Sequence, residues 1–352
     1  MASTTEGTLT TRDGAKLYTK TWRPSVPSKI HLIFVHGFSD HINAYYDLFP
    51  KLSSPPYSIT VHGFDQRGWG RSASADKSLY GRTGDTHQVL CDIHDFICHV
   101  SDDIKSSSSA EDAKLFLMGH SMGGAESLMY LLSDSSTFVL PSTKASEPLP
   151  IQGLLVEAPH VGFPPGQEPN GLVVFTGRLA GRVLPNMQMV QKLDSSFMCR
   201  DSKVCRDWED DELCHDTGTL RGLSGLLDRA GYLSGYGAGT VKAPAHMRET
   251  LSCPLWLGHG TADRVCDHDA SKRLYDRLIS NRNGDAMTEQ SRYVPYDGGY
   301  HKLHVEPDGM GEQFARDVGD WILQIAQTST TGNAGGTSSV TRSENNAIMA
   351  KL

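Results

Sequence analysis

A serine with glycines two residues away on either side is the most reactive pattern in the chain. The stretch Gly119-His120-Ser121-Met122-Gly123 has the form G-x-S-x-G and stands between an apolar run and a helical pattern. In that context the serine lies on a sharp, strained turn that exposes its hydroxyl at the carboxyl end of a strand. Glycines are needed because side chains at their positions would collide. The pattern predicts Ser121 as a nucleophile, the alternative being a plain glycine-rich turn.

Such a nucleophile needs a base and a carboxylate, and the chain offers both in a suitable order. A base removes the serine proton, and a carboxylate holds the base in the correct tautomer. In folds with a G-x-S-x-G turn, the acid and then the histidine follow the serine, each on a loop after a strand. Asp263 follows the apolar run 255–258, and His301 follows the β-rich run 291–295. We therefore expect Asp263 and His301 to complete a catalytic triad.

Both partners have rivals nearby. Asp267 and Asp269 are also acidic, but they stand where the next helix should begin and suit its N-terminus better. His304 is three residues beyond His301 and is an alternative base. The sequence favours the triad of the preceding paragraph and leaves these alternatives open.

Acyl transfer at a serine also requires backbone donors for the oxyanion. They are usually the residue after the nucleophile and a residue in the loop after the third strand. Met122 N–H fits the first role, and Phe38 N–H, in the loop 36–41, fits the second. The glycine-rich stretch 65–72 is predicted to be architectural, because it lacks the Lys-Ser or Lys-Thr of a phosphate-binding loop.

The elements around these residues alternate between short β-rich runs and helical patterns. Continuous apolar runs are predicted to form buried strands, at 30–35, 58–63, 114–118, 152–157, 254–258 and 291–295, after a hairpin at 8–12 and 16–22. A stripe from Val89 to Ile104 has helical spacing. This alternation is typical of an α/β fold with a mostly parallel sheet flanked by helices. With the serine turn, it predicts the α/β-hydrolase fold.

The chain is predicted to divide into a core, an insertion and a tail. Residues 160–245 show helical apolar patches and no clear strand, so we interpret them as a helical cap over one end of the sheet. The core then comprises 1–159 and 246–327. Residues 328–352 are rich in Ser, Thr, Gly and Asn and are expected to be disordered, because they cannot bury enough apolar surface to offset the loss of entropy on ordering.

Composition narrows the classes of function. The 352 residues are 38% hydrophobic and 21% charged with a net charge of −8, which disfavours nucleic acid as a partner. Seven cysteines without regular spacing favour a reducing compartment and give no zinc framework. We find neither a secretory nor a mitochondrial leader and no apolar run of the ~18 residues that a spanning helix needs. An intracellular location is expected.

The motifs together resemble those of the monoacylglycerol lipases, an S33-type serine-hydrolase family, and of their fungal members in particular. The resemblance runs from about residue 8 to residue 326. It is carried by six segments, 36–41, 64–68, 119–124, 210–215, 260–267 and 299–307. It implies the same triad roles for Ser121, Asp263 and His301, the hydrolysis of monoacylglycerols to fatty acid and glycerol through an acyl-enzyme, and neither cofactor nor metal.

The resemblance further implies an acyl tunnel beneath the cap with polar groups at its far end. Asp40 and His304 match polar positions of that pocket, and Cys266 resembles a thiol on its glycerol side, the alternative being a buried, inert cysteine. Two residues depart from the family pattern. Ala44 stands where many relatives have an arginine that anchors the acidic loop residue, and Phe38 replaces a smaller residue at the oxyanion hole. The preference for a particular ester therefore stays open.

Other functions remain as alternatives. Relatives that share the triad and vary the cap act on other lipid-like esters, so a lysophospholipid, another carboxylic ester or a thioester is the second choice. A non-catalytic binding protein of the same fold is disfavoured because all three triad residues are present. Apolar patches at 172–175 and 183–184 could fold inward as the tunnel, turn partly outward to touch a membrane or lipid droplet, or simply pack as the core of the cap.

The last three residues suggest where in the cell the protein is located. Ala350-Lys351-Leu352 is similar to the Ser-Lys-Leu signal that a peroxisomal import receptor binds. A cytoplasmic or lipid-droplet location is the alternative.

Overall fold

The computed structural model describes residues 2–107, 110–134, 137–138, 147–282 and 284–331. Its strands are, along the chain, β1 (Ser3–Thr10), β2 (Lys16–Arg23), β3 (Ile30–Val35), β4 (Thr60–Phe64), β5 (Lys114–His120), β6 (Ile151–Glu157), β7 (Gln188–Val190), β8 (Thr217–Thr219), β9 (Leu255–Gly260) and β10 (Arg292–Tyr296). Its α-helices are α1 (Leu48–Leu52), α2 (Gly70–Ala73), α3 (Thr86–Ser106), α4 (Met122–Leu132), α5 (Gly171–Val183), α6 (Ser202–Glu209), α7 (Leu220–Gly237), α8 (His268–Ser280), α9 (Ala286–Gln290) and α10 (Met310–Thr331).

One eight-stranded sheet forms the centre, in the order β1-β2-β4-β3-β5-β6-β9-β10. The hairpin β1–β2 and the pair β2–β4 are antiparallel, and the remaining neighbours are parallel. The hairpin turns at Gly14, whose φ of +87° suits glycine. The predicted mostly parallel sheet of an α/β hydrolase is confirmed.

Helices cover both faces of the sheet, because the central strands are apolar on both sides. In β3, Ile33 and Val35 join one hydrophobic cluster with α3, α4, α7 and α8. Leu32 and Phe34 point the other way and pack with α1 and α10. Successive side chains of a strand point to opposite faces of the sheet, and here helices cover both faces. The central strands therefore appear in the sequence as continuous apolar runs.

The parallel strands bring their carboxyl ends to one edge of the sheet. The loop after β3 contains Phe38, the turn after β5 contains Ser121, and the loops after β9 and β10 contain Asp263 and His301. Open α/β sheets bind their ligands at this edge. The register therefore collects residues separated by up to 263 positions in the chain.

The insertion predicted at 160–245 contains α5, α6, α7 and two short strands. β7 and β8 pair antiparallel through Met189 and Gly218, so the prediction that this segment lacks strands is wrong. Three-residue strands are too short to show a period of two. The limits of the cap as a separate domain stay a prediction.

The C-terminal helix corrects a second boundary. α10 continues to Thr331, so the disorder predicted at 328–352 is wrong for 328–331. Residues 332–352, including Ala350-Lys351-Leu352, lie outside the described residues. Among the helices that the structure describes, none combines the length and the hydropathy of a membrane span.

Candidate active site

The strained turn at Ser121 has the geometry that its glycines predicted. Ser121 has φ +53° and ψ −119°, an unfavourable conformation for a residue with a side chain. A Cβ on Gly119 would lie 2.3 Å from the carbonyl oxygen of Gly123, and one on Gly123 would lie 2.3 Å from that of Val35. The turn is held by a bond from Ser121 N–H to the carbonyl oxygen of Glu157, 2.9 Å away.

Asp263 is saturated with hydrogen bonds. Its Oδ2 accepts from His301 Nδ1 at 2.8 Å and from His259 Nε2 at 3.0 Å. Its Oδ1 accepts from the backbone N–H groups of Val265 at 2.7 Å and Cys266 at 3.1 Å. Burial alone would raise the pKa of this carboxyl, but His301 and His259 beside it hold the pKa well below its usual value. Asp263 is therefore ionised and fixed in orientation.

His259 is a site residue that the sequence reasoning missed. It lies near the end of β9, four residues before Asp263 and fully buried. Among the described residues none bonds its Nδ1, and its Nε2 carries the hydrogen that is donated to Asp263. The spacing of four residues from a loop carboxylate was visible in the sequence, but it does not show which way the ring turns.

The serine lies beside this pair. Its Oγ is 4.0 Å from Cys266 Sγ, and ligand atoms of Asp263, Cys266 and His301 all lie within 4.8 Å of one another. The structure thus brings Ser121, Asp263 and His301 into one cluster. Burial raises the pKa of the Cys266 thiol well above its usual value, so this cysteine is a protonated neighbour and a poor metal ligand.

The rival acids belong to a helix. Asp267 is the N-cap of α8 and accepts from the N–H of Asp269 at 2.9 Å, and Asp269 lies in the first turn. The prediction that both serve the helix N-terminus is confirmed.

The loop after β3 is fixed around the peptide that carries Phe38 N–H. Gln66 N–H donates to His36 Nε2 at 2.8 Å, so the ring proton is on Nδ1, which lies 2.8 Å from the carbonyl oxygen of Gly37. That carbonyl and Phe38 N–H belong to one planar peptide, so the contact at the carbonyl oxygen also fixes the direction of the N–H. Met122 is the first residue of α4, whose free N–H groups lie next to Ser121.

Two residues that were predicted to contact substrate bind other side chains of this protein. Asp40 is buried and forms an ion pair of 3.0 Å with Lys302, itself only 1% exposed. His304 is buried, and its Nδ1 lies 2.8 Å from Glu157 Oε1. Neither side chain is among the described residues that line the cavity, and their contact with substrate stays a prediction. His304 is bonded to Glu157, whereas His301 is bonded to Asp263, so His301 suits the role of base better.

Lys302 explains the departure at Ala44. Ala44 cannot provide a positive charge to Asp40, and Lys302, the residue after His301, provides it instead. The burial of Lys302 tends to lower its pKa, but Asp40 raises it above the usual value, so the lysine keeps its charge. Sequence reasoning missed this lysine because its partner is far away in the chain. The contact of Cys266 with substrate stays a prediction.

A cavity of about 470 Å³ opens above Ser121, between the sheet edge and the insertion. Phe38, Met122 and Ser121 form part of its floor. Its walls come mainly from apolar side chains of the insertion, Phe163, Val173, Val174, Met189, Leu193, Phe197, Leu220, Leu223, Leu226 and Leu227. Polar groups from the same region also line it, Gln167, Arg178, Gln191, Lys192 and Asp194. The cavity can hold an alkyl chain with its head next to the serine.

A second group of potential ligands lies outside this cluster. Atoms of His41, Asp211 and Cys214 come within 4.8 Å of one another. Burial raises the pKa of the Cys214 thiol far above its usual value, and His41 Nε2 is already bonded to Asp211 at 2.9 Å. The group is better suited to joining the loop after β3 to the insertion than to binding a metal.

Comparison with known proteins agrees with this geometry. Residues 27–308 match the family model described as serine aminopeptidase, S33. A relative from Schizosaccharomyces pombe, described as "Putative monoglyceride lipase", is 31% identical over 318 residues, which are 90% of this chain and 74% of the relative. The monoglyceride lipase of Mus musculus is 26% identical and covers 89% of each chain.

Solved structures show the same fold. A soluble variant of monoglyceride lipase from Saccharomyces cerevisiae, in complex with a substrate analog, superimposes with a TM-score of 0.71 at 19% identity, over 92% of this chain and 94% of that one. The sheet and the serine turn thus define an α/β hydrolase. Within that class, the chain belongs to the S33 serine aminopeptidase family.

Proposed function

We propose that this protein is a carboxylic ester hydrolase that cleaves monoacylglycerols to fatty acid and glycerol. The observation that carries the proposal is the contact between His301 and Asp263, 2.8 Å, beside Ser121 on the floor of an apolar cavity. The family, and relatives described as monoglyceride lipases, support the choice of substrate.

The reaction follows from the positions of these groups. Ser121 Oγ attacks the ester carbonyl carbon while His301 Nε2 takes the hydroxyl proton, and Asp263 stabilises the resulting imidazolium. The N–H groups of Met122 and Phe38 donate to the oxyanion. Collapse of the tetrahedral intermediate breaks the bond to the alcohol, which His301 protonates. Water activated by His301 then attacks the acyl-enzyme, which releases the fatty acid and restores Ser121.

A fluorophosphonate probe tests the chemistry. We expect it to label Ser121, and Ser121→Ala to abolish labelling and to lower kcat by at least about 10³-fold with little change in stability. Ser133→Ala is a matched control, because Ser133 directly follows the same helix and is not among the described residues that line the cavity. Labelling of Ser121→Ala, or more than about a hundredth of the wild-type turnover, would contradict the assignment.

A lysophospholipid, another lipid-like carboxylic ester or a thioester is the alternative substrate. The walls contain charged groups, among them Arg178 and Lys192. They are compatible with a substrate that has a charged head. The ratio of kcat/KM for a monoacylglycerol to that for the lysophosphatidylcholine of the same chain separates them. A ratio below one would favour the alternative.

We further propose that the insertion binds a lipid surface while substrate enters. Helix α5 exposes several large apolar side chains, Leu172, Val173, Phe175, Leu179 and Val183, all more than half exposed. An exposed group of this kind is typical of a membrane-binding surface. Arg182, on the same helix, is exposed beside them and would favour anionic headgroups.

Vesicle sedimentation tests this binding. Phe175→Asp with Val183→Asp should weaken association with phosphatidylglycerol-containing vesicles at least about tenfold. Each change removes apolar area that the membrane would cover and adds a negative charge that the anionic lipid repels. Hydrolysis of a short soluble ester should stay within about twofold. Val26→Asp is the control, because Val26 is 57% exposed but precedes β3 at the opposite edge of the sheet. Equal loss of binding and of hydrolysis would show that these residues serve packing instead.

A further inference from the structure

Tyr45 is a buried tyrosine between three parts of the active site. It ends a single helical turn, Ile42–Tyr45, in the loop after β3, and it is 0% exposed. Its ring lies against Phe34, with centroids 4.4 Å apart, and against His304, 4.8 Å apart. The ring is therefore fixed by packing, and its hydroxyl has one orientation.

That hydroxyl is bonded to a backbone donor and to a ring nitrogen, and the Asp40 carboxylate is also close enough to act on it. Gly37 N–H donates to Tyr45 Oη at 3.1 Å, and Oη lies 3.0 Å from His120 Nδ1. Burial, with the charge of Asp40, raises the pKa of Tyr45 well above its usual value. The phenol therefore keeps its proton and has it to donate.

The tautomer of His120 decides where that proton points. His120 Nε2 lies 3.3 Å from the carbonyl oxygen of His301, which can only accept, so Nε2 carries hydrogen. Burial, with His301 nearby, lowers the pKa of His120 well below its usual value, so the ring is neutral and its Nδ1 is bare. Tyr45 must then donate to Nδ1.

The three bonds form one directed chain. It runs from Gly37 N–H to Tyr45, from Tyr45 O–H to His120, and from His120 Nε2–H to the backbone carbonyl of His301. Gly37 precedes the oxyanion donor Phe38, His120 precedes the nucleophile, and His301 is the base. A Cβ on Gly37 would lie only 3.2 Å from Ser121 Cβ, so a small shift of this loop changes the attack geometry.

We propose that Tyr45 is a positioning residue whose hydroxyl holds the oxyanion donor, the nucleophile and the base in register. It contacts no substrate, since it does not line the cavity. The inference rests on the proposed function. Its loss would misplace groups that act only in the transition state, and so would lower kcat and leave KM unchanged.

Tyr45→Phe tests the role, because it keeps the packed ring and removes only the hydroxyl. With p-nitrophenyl acetate, we expect kcat to fall by about 10- to 100-fold and KM to stay within about twofold. The affinity for a reversible trifluoromethyl ketone, which mimics the tetrahedral intermediate, should fall by a similar factor. Wild-type kcat and inhibitor affinity in Tyr45→Phe would overturn the proposal.

Tyr130→Phe is the matched control. Tyr130 is also buried, and its hydroxyl lies 2.9 Å from His94 Nδ1, the same kind of bond away from the cavity. We expect a comparable fall in melting temperature with kcat unchanged. Equal losses of kcat in both variants would show that Tyr45→Phe acts through a general loss of stability, and would overturn the proposal. An inactive wild-type protein would instead contradict the proposed function.

A measurement on the wild-type protein covers the case in which Tyr45→Phe does not fold. Nitrogen-15 spectra of the histidine rings report which nitrogen carries the proton. We expect His120 to be neutral, with hydrogen on Nε2 and a bare Nδ1. Hydrogen on Nδ1 would reverse the bond to Tyr45 and overturn the proposal.

Discussion

Two apolar helices of similar length, α4 and α5, have opposite surroundings. In α4 only Leu131 is not buried, and the helix lies between the sheet and α3 and α7. In α5, all of which the structure describes, no residue is buried, although the helix packs along α7. One side of α5 lines the cavity through Val173 and Val174, and Phe175 and Val183 are exposed.

The difference separates two uses of apolar surface. Buried area in α4 stabilises the fold and holds the turn of Ser121, because removing such side chains from water is favourable by ~25 cal/mol per Å². Area in α5 remains available to an alkyl chain on one side and a lipid surface on the other. Stability should therefore depend on α4, and the choice of substrate on α5.

The largest loss of stability is expected where the insertion is joined to α4. Arg229, in α7, donates to Glu126 Oε1 at 2.8 Å, and both side chains are buried. Arg229→Leu leaves a buried carboxylate without its partner and should lower the free energy of unfolding by about 3–5 kcal/mol, measured by urea denaturation. The double variant Glu126→Leu with Arg229→Leu should recover most of it. A loss below about 1 kcal/mol in the single variant would show that α7 is not anchored by this pair.

The next effect compares one residue type in the two helices. Leu128 in α4 is 0% exposed and Leu179 in α5 is 54% exposed. Leu128→Ala creates a cavity and should lower the free energy of unfolding by about 3 kcal/mol. Leu179→Ala should lower it by less than about 0.5 kcal/mol. Similar losses in both, by the same urea measurement, would mean that α5 is packed as tightly as α4.

The smallest effect concerns pH and the attachment of the insertion. His215 stacks between the rings of Trp69 and Tyr80, with centroids 4.8 and 3.8 Å away. Burial lowers its pKa from 6.5 to about 4, although its bond to the carbonyl of Gly68 acts the other way. The unfolded chain then binds a proton more readily, so the stabilisation is complete above pH 6.5 and is lost as the pH falls towards 4.

His215→Phe keeps the stacking and removes the titration. Because the ring is partly exposed, we expect wild type to lose only about 1–2 kcal/mol relative to the variant between pH 6.5 and 4. Urea denaturation at a series of pH values measures the difference. Parallel curves for the two proteins would exclude His215 as the titrating group.

The sequence predicted the parts of the site that depend on local pattern. An apolar run that ends at a glycine-containing turn marks the strand before Ser121 and the loops of Asp263 and His301. The observed bounds of these strands agree with the predicted ones within a few residues. The partner of Asp40 was missed because it depends on a contact that no local pattern encodes. Lys302, which pairs with it, is 262 residues further along the chain.

The same reason explains the other omissions. The partner of His304 is Glu157, at the end of a different strand, and the hydroxyl of Tyr45 acts between loops whose proximity only the register of the sheet creates. Whether the apolar patch of α5 lies inside or outside could not be decided from periodicity, which reports an apolar face and not what covers it.

The openness of α5 also affects how this protein can change over generations. A substitution in α4 reduces the narrow margin of stability by which a folded chain survives selection, whereas a substitution in a helix with no buried residue costs little of that margin. Variation can therefore accumulate in the wall of the acyl cavity while the turn of Ser121 stays unchanged. A lineage of this enzyme could drift to new chain lengths or new lipid heads without passing through unstable intermediates.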